Sequence, residues 1–187
     1  YSVIVTDYFS LDLKIVQDLS KIAPVIAIDE GSEYSDWCDY LLDIIPSMEL
    51  KRMSNYTEPD FIEKPKNKKN ESIVQNDFEN ILVCLGGEDP AGLTVPAAMA
   101  FASEKNKITA IVSKIDSIQE CHKKENINYI PPVYNLREEL YKYDLVVTHY
   151  GLTAYEAMSA GCAVILLATT KLHGQLAHKW KLKAGGK

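Results

Sequence analysis

Short apolar runs alternate with amphipathic segments along most of the chain, and this pattern predicts β-strands separated by helices. In the first part we expect strands at 2–6, 24–29 and 39–45 and a helix at 11–21. The apolar residues of the first two strands are nearly continuous, as is typical of parallel strands covered on both faces. Residues 1–45 are therefore predicted to form part of an α/β domain that is too small to stand alone.

The composition changes between residues 46 and 79. This stretch contains Pro46, Pro59 and Pro65 and a polar, lysine-rich run at 64–72. Prolines and polar clusters without apolar periodicity predict a linker. The lysines could also form a basic binding patch, but a solvated connector is the simpler interpretation.

After this linker the alternation is regular. The predicted strands cover 80–85, 108–113, 127–131, 144–148 and 162–168, and the predicted helices cover 94–104, 115–125, 136–143, 153–160 and 172–182. Thr94 can cap the first of these helices, and Pro96 falls in its first turn, where proline costs little. Strands that alternate with short helices form an open parallel sheet, which binds ligands at the carboxyl ends of its strands. We therefore predict a ligand-binding α/β domain over residues 80–187.

The clearest functional signal lies in residues 149–161, between two of these strands. Gly151 marks a sharp turn into a helix, whose first N–H groups are unpaired and carry about half a positive charge. A phosphate binds well at such a position. Glu156 lies about one turn into the same helix, where its carboxylate can accept hydrogen bonds from sugar hydroxyls. A phosphate site beside a carboxylate predicts a bound nucleotide.

A second glycine turn, Gly86-Gly87, follows the strand at 80–85. Because glycine has no Cβ, a ligand can approach the backbone here, although such a pair can also be no more than a tight turn. We predict that the helices after the two turns hold a diphosphate together. Structural alternatives stay open: Glu156 could be an exposed glutamate that the helix dipole stabilises, and Thr153 could simply cap its helix.

Charge and length limit the classes of function. With a net charge of −6 over 187 residues, the chain offers no basic groove for nucleic acid, so a bound phosphate depends on backbone dipoles. No apolar run is long enough for a transmembrane segment, which leaves only peripheral membrane association open. Because the chain begins with Tyr1 rather than Met, we expect it to be part of a longer protein.

The four cysteines are scattered and form no CxxC pair, which argues against a zinc site. Cys84 and Cys162 lie in apolar strand patterns, so we expect them to be small core residues. A reducing, cytoplasmic location fits this usage best.

A resemblance to a known family appears at residues 85–94, Leu-Gly-Gly-Glu-Asp-Pro followed by Leu93-Thr94. This segment resembles the LGG-x-DP-x-x-LT signature of UDP-sugar hydrolases of pseudaminic acid biosynthesis. Those enzymes share the GT-B fold with the N-acetylglucosaminyltransferase that makes the lipid-linked peptidoglycan precursor. Further segments resemble other motifs of the family. Thr6-Asp7-Tyr8 with Leu11-Asp12 is similar to its D-x-Y-x-L-D loop, and Ile28-Asp29-Glu30 is similar to its IDD sequence. Residues 56–61 resemble the exit from its N-terminal domain, and residues 144–161 resemble its DLAI…GG-S-T-x-W-E…G unit.

The resemblance implies a GT-B-like α/β fold, with a Rossmann-type parallel-sheet domain for the nucleotide at 80–187, preceded by part of a second α/β domain at 1–45. It also implies nucleotide-sugar contacts at Gly86, Gly87, Gly151, Leu152, Thr153, Glu156 and His173. Glu156 would bind the ribose hydroxyls, and the backbone of 130–133 would face the base.

The same resemblance assigns the diphosphate to the N–H groups of Gly151, Leu152 and Thr153, with the Thr153 hydroxyl as a further donor. Gly86 and Gly87 would line the cleft beside it. His173 occupies the position of a sugar-contacting glutamine, although it could equally be a capping or surface residue.

The chain departs from the family in the predicted phosphate loop. His149 and Tyr150 stand where the family has small residues, and Leu152 replaces a serine. Either the two rings stack on a ligand, or they reshape the loop so that it binds phosphate poorly. The family's assisting histidine lies in a loop with no counterpart here, so we assign no catalytic residue and expect that the chain alone could be inactive.

Three functions are consistent with the sequence. The first is a UDP-sugar hydrolase of surface-polysaccharide or nonulosonic acid synthesis, which would act at the anomeric carbon. The second is a GT-B glycosyltransferase with a UDP-sugar donor, and the third is a non-catalytic module that binds a nucleotide-sugar. The sequence implies no cofactor and no metal site, and the lack of a GxGxxG turn argues against a Rossmann dehydrogenase.

Overall fold

The computed structural model describes residues 2–8, 11–45, 53–58, 61–69, 78–86, 89 and 91–184. The chain divides into two compact units, Tyr1–Glu63 and Lys64–Lys187. Gly87 and much of the predicted linker lie outside the described residues. None of the helices in the described part is both long enough and apolar enough to cross a bilayer.

The first unit contains a sheet of four parallel strands in the order β1-β2-β3-β4. Its elements are β1 (Ile4–Asp7), α1 (Leu13–Ser20), β2 (Val25–Ile28), β3 (Tyr40–Asp43) and β4 (Tyr56–Thr57). The three predicted strands and the predicted helix are confirmed. The short β4 was not predicted, because it lies within the stretch whose composition indicated a linker.

Helix α1 covers one face of this sheet. Val16 of the helix packs with Val25, Ala27 and Leu41, which point to the same side of β2 and β3. On β1, by contrast, the side chain of Val5 is 58% exposed. Among the described residues, the expectation that the first two strands are covered on both faces is therefore wrong for β1.

Several carboxylates of the first unit accept hydrogen bonds from backbone N–H groups. Asp12 caps α1 by accepting from the N–H of Lys14 at 2.8 Å. Asp29 follows β2 and accepts from the N–H groups of Ile44 and Ile45 at 2.7 and 2.9 Å. Glu30 accepts from the N–H of Leu11 at 2.8 Å. These acids hold the loops at the carboxyl ends of the strands.

The second unit contains a sheet of five parallel strands in the order β7-β6-β5-β8-β9. Its strands are β5 (Asn80–Cys84), β6 (Lys107–Ile111), β7 (Ile127–Ile130), β8 (Leu145–Thr148) and β9 (Ala163–Leu166), and its α-helices are α2 (Thr94–Phe101), α3 (Leu152–Ser159) and α4 (Lys171–Ala184). All five predicted strands are confirmed, and so are three of the five predicted helices.

The other two predicted helices have a different structure. Residues 115–125 form two single 3₁₀ turns, Ile115–Ser117 and Glu120–His122, and almost every side chain there is exposed. A helix draws most of its stability from packing an apolar face, and this segment has none. Leu136–Lys142 is a 3₁₀ helix, in which Leu140 is fully buried.

The central strands of this sheet, β5 and β8, are buried on both faces, whereas Ile165 of the edge strand β9 is 40% exposed. One face carries the cluster around Ile81, Val83 and Val147, against which α2 packs through Ala98. The other face carries Leu82, Cys84, Ile111, Leu140, Val146, Ala157, Ala160 and Cys162. Cys84 and Cys162 are thus core residues, as expected.

Asp144 anchors the edge of this sheet where β5 and β8 begin. Its buried carboxylate accepts from the N–H groups of Glu79 and Asn80 at 3.0 and 2.7 Å and forms an ion pair with Lys69. The N–H of Lys69 also donates to the carbonyl of Ala160 at 2.9 Å. Lys69, which belongs to the lysine-rich run predicted to be solvated, is therefore bound to the sheet of the second unit.

The hydrogen bonds and the ion pair of Asp144 affect its pKa. Burial alone would raise the pKa, but Lys69 and the two backbone N–H groups outweigh burial and hold the pKa below its ordinary value. The unfolded chain therefore binds a proton more readily than the folded protein. The resulting stabilisation is present above the ordinary pKa of aspartate and is lost as the pH falls through the lower, folded value.

We predict that Asp144→Asn lowers the free energy of unfolding near pH 7 by about 1–3 kcal/mol, because buried donors lose a charged acceptor. The difference from the unsubstituted protein should shrink as both are acidified below about pH 4. Urea denaturation across this pH range measures it. Asp116→Asn, at an exposed position, is the matched control and should change little. A loss that is independent of pH would show that the Asp144 charge is not responsible.

Candidate functional site

The strand order places the candidate site between β5 and β8. From β5 the chain builds outward through β6 and β7, then crosses back to place β8 on the other side of β5. Ligands of doubly wound sheets bind at the carboxyl ends of the strands at such a switch point. Gly86 follows β5, and Gly151 follows β8 by three residues, so both glycine turns lie at this point.

The start of α3 offers unpaired donors to this crevice. Gly151 is the N-cap and supplies no side-chain hydrogen bond, so Thr153 is the second residue of the helix and not its cap. The N–H of Ala154 donates to the Gly151 carbonyl at 3.1 Å. No hydrogen bond to a described residue involves the N–H groups of Leu152 and Thr153. Their role in binding an anion stays a prediction.

At the start of α2, in contrast, the backbone N–H groups already have an acceptor within the chain. The carboxylate of Asp89 accepts from the N–H of Leu93 at 3.1 Å and from the N–H of Thr94 at 2.8 Å. Asp89, and not Thr94, therefore caps this helix. An internal carboxylate fills the position in which a phosphate would bind, so the expectation that two helix starts grip a diphosphate is wrong for α2.

Glu156 is partly enclosed at the same edge of the sheet. Its side chain is 18% exposed, and its Oε1 lies 3.9 Å from the Nη1 of Arg137. Burial raises the pKa of the Cys84 thiol at the end of β5, and the negative charge of Glu156 adds to this effect. Glu156 therefore lies near the end of β5, and the alternative of a solvent-exposed glutamate is wrong.

His149 joins the two glycine turns. A Cβ built on Gly86 would lie 2.9 Å from its Nε2, and one built on Gly151 would lie 3.2 Å from its Cε1. Gly86 has a φ of +85°, in the left-handed region that favours glycine. A side chain at Gly86 would therefore need a left-handed backbone as well as a shift of the His149 ring, whereas one at Gly151 would only press on that ring.

His173 of α4 stacks on His149. The ring centroids are 4.4 Å apart, and the rings are parallel within 5°. The Nδ1 of His173 lies 2.6 Å from the hydroxyl oxygen of Thr169. Burial, together with the neighbouring His149, lowers the pKa of His173. His173 therefore lies beside His149 at the candidate site. The sequence analysis noted His149 only as a large residue in place of a small one.

Tyr150 points away from the site. It is 2% exposed, and its hydroxyl lies 2.9 Å from that of Tyr155. The two rings meet edge to face, with centroids 6.1 Å apart. Burial, with the Tyr150 hydroxyl adding to it, raises the pKa of Tyr155 strongly. Of the two large residues in the predicted phosphate loop, only His149 is positioned to meet a ligand.

The predicted base position lies beside an open cleft of about 700 Å³. The cleft is at the carboxyl ends of β6 and β7 and is lined by Ser113, Lys114, Ile115, Asp116, Ser117 and Pro131. Pro131 belongs to the segment 130–133 that was expected to face the base. No group of three or more His, Cys, Asp or Glu side chains that could hold a metal ion occurs in the described ranges.

No known protein family matches the chain, and no curated protein matches it either. Several solved structures match it at low identity, and three of them are described here. A structure described as the spinosyn rhamnosyltransferase SpnG aligns with 88% of this chain at a TM-score of 0.52 and 17% identity. A structure described as the glycotransferase of kitacinnamycin aligns with 95% at a TM-score of 0.53 and 12% identity.

The third structure is a proposed UDP-N-acetylglucosamine 2-epimerase from Listeria monocytogenes, which aligns with 94% of this chain at a TM-score of 0.53 and 14% identity. The chain covers 53%, 61% and 59% of the rhamnosyltransferase, the glycotransferase and the epimerase, respectively. At these identities the likeness concerns the fold. The chain has a GT-B-like fold with Rossmann-type parallel α/β sheets.

We predict that Gly86→Ala destabilises the protein more than Gly92→Ala does. Both glycines have positive φ, so each alanine has a backbone cost of about 1–2 kcal/mol. Only the Cβ at position 86 would also clash, since nothing lies within 4 Å of a Cβ at Gly92. Urea denaturation of both variants measures the difference. The extra loss should disappear when Gly86→Ala is introduced into a His149→Ala background, and its persistence there would exclude the His149 contact as the cause.

Proposed function

We propose that the second unit binds a nucleotide diphosphate-sugar, with a UDP-sugar as the expected ligand. The observation that carries this proposal is the unpaired start of α3 at the switch point of the sheet, with the Glu156 carboxylate inside the same helix. The diphosphate would bind the N–H groups of Leu152 and Thr153. The ribose hydroxyls would donate to Glu156, which cannot itself bind the phosphate.

We further propose that the protein is a glycosyltransferase, which moves the sugar from the nucleotide to an acceptor. Two of the three similar structures are described as sugar transferases. In such a reaction the bond between the anomeric carbon and the diphosphate breaks, and negative charge develops on the departing diphosphate. The oriented N–H groups at the start of α3 would stabilise that charge in the transition state.

Hydrolysis of a UDP-sugar is the second candidate, and residues 85–94 favour it through their resemblance to the hydrolase signature. However, the aspartate of that signature, Asp89, accepts two backbone N–H groups at the start of α2. This structural role is enough to explain the aspartate in the motif, and it does not require that the sugar be transferred to water. The motif therefore supports the fold of the turn more than it supports hydrolysis.

A non-catalytic module is the third candidate. The bulky pair His149 and Tyr150 suggested it, because two rings would obstruct a phosphate loop. Tyr150 is buried against Tyr155, so of these two rings only that of His149 lies beside the two glycine turns. This observation removes half of the argument for a module, and we place binding with catalysis above binding alone.

We predict that calorimetry detects UDP in preference to GDP, CDP and NAD, and that Glu156→Ala weakens UDP binding by about 1–3 kcal/mol, since ribose hydroxyls lose their acceptor. Glu139→Ala removes a glutamate whose side chain is 43% exposed and pairs with Lys142, and it should leave the affinity unchanged. Equal affinity of the Glu156→Ala variant and the unsubstituted protein would remove Glu156 from the site. No detectable affinity for any of the four compounds would overturn the proposed function.

Release of sugar from a UDP-sugar distinguishes the first two candidates. Turnover that requires an added acceptor supports transfer. Release of free sugar and UDP at the same rate without an acceptor would instead favour the hydrolase. Binding of UDP without turnover under either condition would favour the non-catalytic module.

A further inference from the structure

Arg137 lies between the proposed ribose-binding carboxylate, Glu156, and a second carboxylate, Glu138. The Nη1 of Arg137 is 3.9 Å from Oε1 of Glu156, and its Nε is 3.5 Å from Oε1 of Glu138. The side chains of Arg137, Glu156 and Glu138 are only 21%, 18% and 17% exposed. Solvent screens such enclosed charges less than it screens a pair on an open surface. The guanidinium therefore influences where the Glu156 carboxylate lies.

The helix that carries Arg137 is fixed against the helix that carries Glu156. Leu140 of the 3₁₀ helix Leu136–Lys142 is fully buried, and it belongs to the same core cluster as Ala157 of α3. Side chains in a close-packed core have little room to move. This shared cluster therefore holds the backbone at Arg137 in one position relative to the start of α3.

Glu138 supports the guanidinium from its other side. The Oε2 of Glu138 accepts from the backbone N–H of Lys66 at 3.1 Å, while its Oε1 faces the Nε of Arg137. A backbone donor thus orients the carboxylate that contacts the guanidinium. Lys66, Glu138, Arg137 and Glu156 form a chain of contacts that ends at the candidate site.

The separation of Arg137 and Glu156 leaves a role for a ligand. At 3.9 Å it is longer than a hydrogen bond, so this attraction is between charges and does not use Oε1 as a hydrogen-bond acceptor. The two oxygens of a carboxylate offer about four acceptor positions. Neighbouring hydroxyls of a ribose can therefore donate to Glu156 without displacing the guanidinium.

We propose that Arg137 is a positioning residue, which holds the Glu156 carboxylate where it accepts from the 2′ and 3′ hydroxyls of a ribose. The site then selects a ribonucleoside diphosphate over the same nucleotide without those hydroxyls. This inference rests on the proposed function and adds a residue, Arg137, that the family resemblance does not provide. An arginine that bound the diphosphate directly would instead strengthen the binding of both nucleotides alike.

The experiment is calorimetric titration of the whole chain with UDP and with 2′,3′-dideoxyuridine diphosphate, which lacks both hydroxyls. The readout is the ratio of the two dissociation constants, because a general disturbance of the site weakens both nucleotides alike. We expect the unsubstituted protein to prefer UDP, and Arg137→Gln to reduce that preference about three- to tenfold, as for coupled residues in contact. Arg137→Lys keeps the positive charge and should retain part of the preference.

Further variants test the chain of contacts. In a Glu156→Ala background, Arg137→Gln should leave the ratio unchanged, since the residue through which it acts is absent. Glu138→Gln weakens the support of the guanidinium, so it should lower the preference for UDP, although by less than Arg137→Gln does. Lys142→Gln removes another cation of the same 3₁₀ helix, one that pairs with Glu139, and this matched control should not change the ratio.

The outcomes separate this inference from the proposed function. UDP binding that depends on Glu156, with the same preference in Arg137→Gln as in the unsubstituted protein, refutes the role of Arg137 and leaves the proposed function intact. An equal loss of affinity for both nucleotides in Arg137→Gln shows direct binding or a general structural role, and this also refutes the inference.

Two further results decide the remaining cases. If the unsubstituted protein binds neither nucleotide, the proposed function fails and the inference fails with it. If urea denaturation shows that Arg137→Gln does not fold, Glu138→Gln carries the test, and an unchanged ratio in that variant refutes the inference.

Discussion

The free N–H groups at the start of a helix can donate either to an acceptor within the chain or to a bound anion. The candidate site depends on which of these two partners each helix has. At α2 the choice is made within the chain, because the carboxylate of Asp89 accepts from Leu93 and Thr94. At α3 the N-cap is Gly151, which has no side chain to offer. In a chain with a net charge of −6, such backbone donors are the means available for holding a phosphate. The described structure therefore leaves one helix start, that of α3, for the proposed anion, and not two.

The topology of the second sheet decides what surrounds that helix start. Because β5 lies beside β8, the turn after β5, the start of α3 and the start of α4 meet at one edge. Gly86, His149 and His173 are far apart in sequence, but this arrangement brings them into contact. Glu156 comes to the same edge because it lies on α3, beside the end of β5. The site is thus a consequence of strand order.

Much of this fold could be predicted from periodicity, and the exceptions have physical causes. Apolar runs located the strands at residues 80–85 and 144–148 because those strands are buried on both faces. The predicted helix at 115–125 failed because its pattern of polar residues leaves no face to pack. The sequence analysis assigned the cap of α2 to Thr94 because of its position at the helix start. The observed acceptor is Asp89, which lies five residues before Thr94 in a turn and has a positive φ.

The candidate site was predictable in its local part only. The start of α3 and Glu156 belong to one short segment, so a sequence motif contains both. The stack of His149 on His173 joins residues from two loops, and its geometry depends on how α4 returns to the sheet. Likewise, the burial of Tyr150 depends on its contact with Tyr155 inside the fold. Sequence spacing alone does not carry such information.

The acidic residues of the recognised motifs have a common role, and it bears on how far a resemblance predicts chemistry. Asp12, Asp29, Asp89 and Asp144 each accept hydrogen bonds from backbone N–H groups. Their recurrence in a family is explained by the need to terminate strands and start helices in the same way. Such residues identify a fold, and they are compatible with transfer to water, to a sugar or to neither. Any chemistry at the proposed site must then depend on other side chains. One residue there departs from the family that the sequence resembles, because His149 stands where that family has a small residue. Its imidazole lies against both Gly86 and Gly151, so this ring is the feature by which a ligand could distinguish the chain from that family.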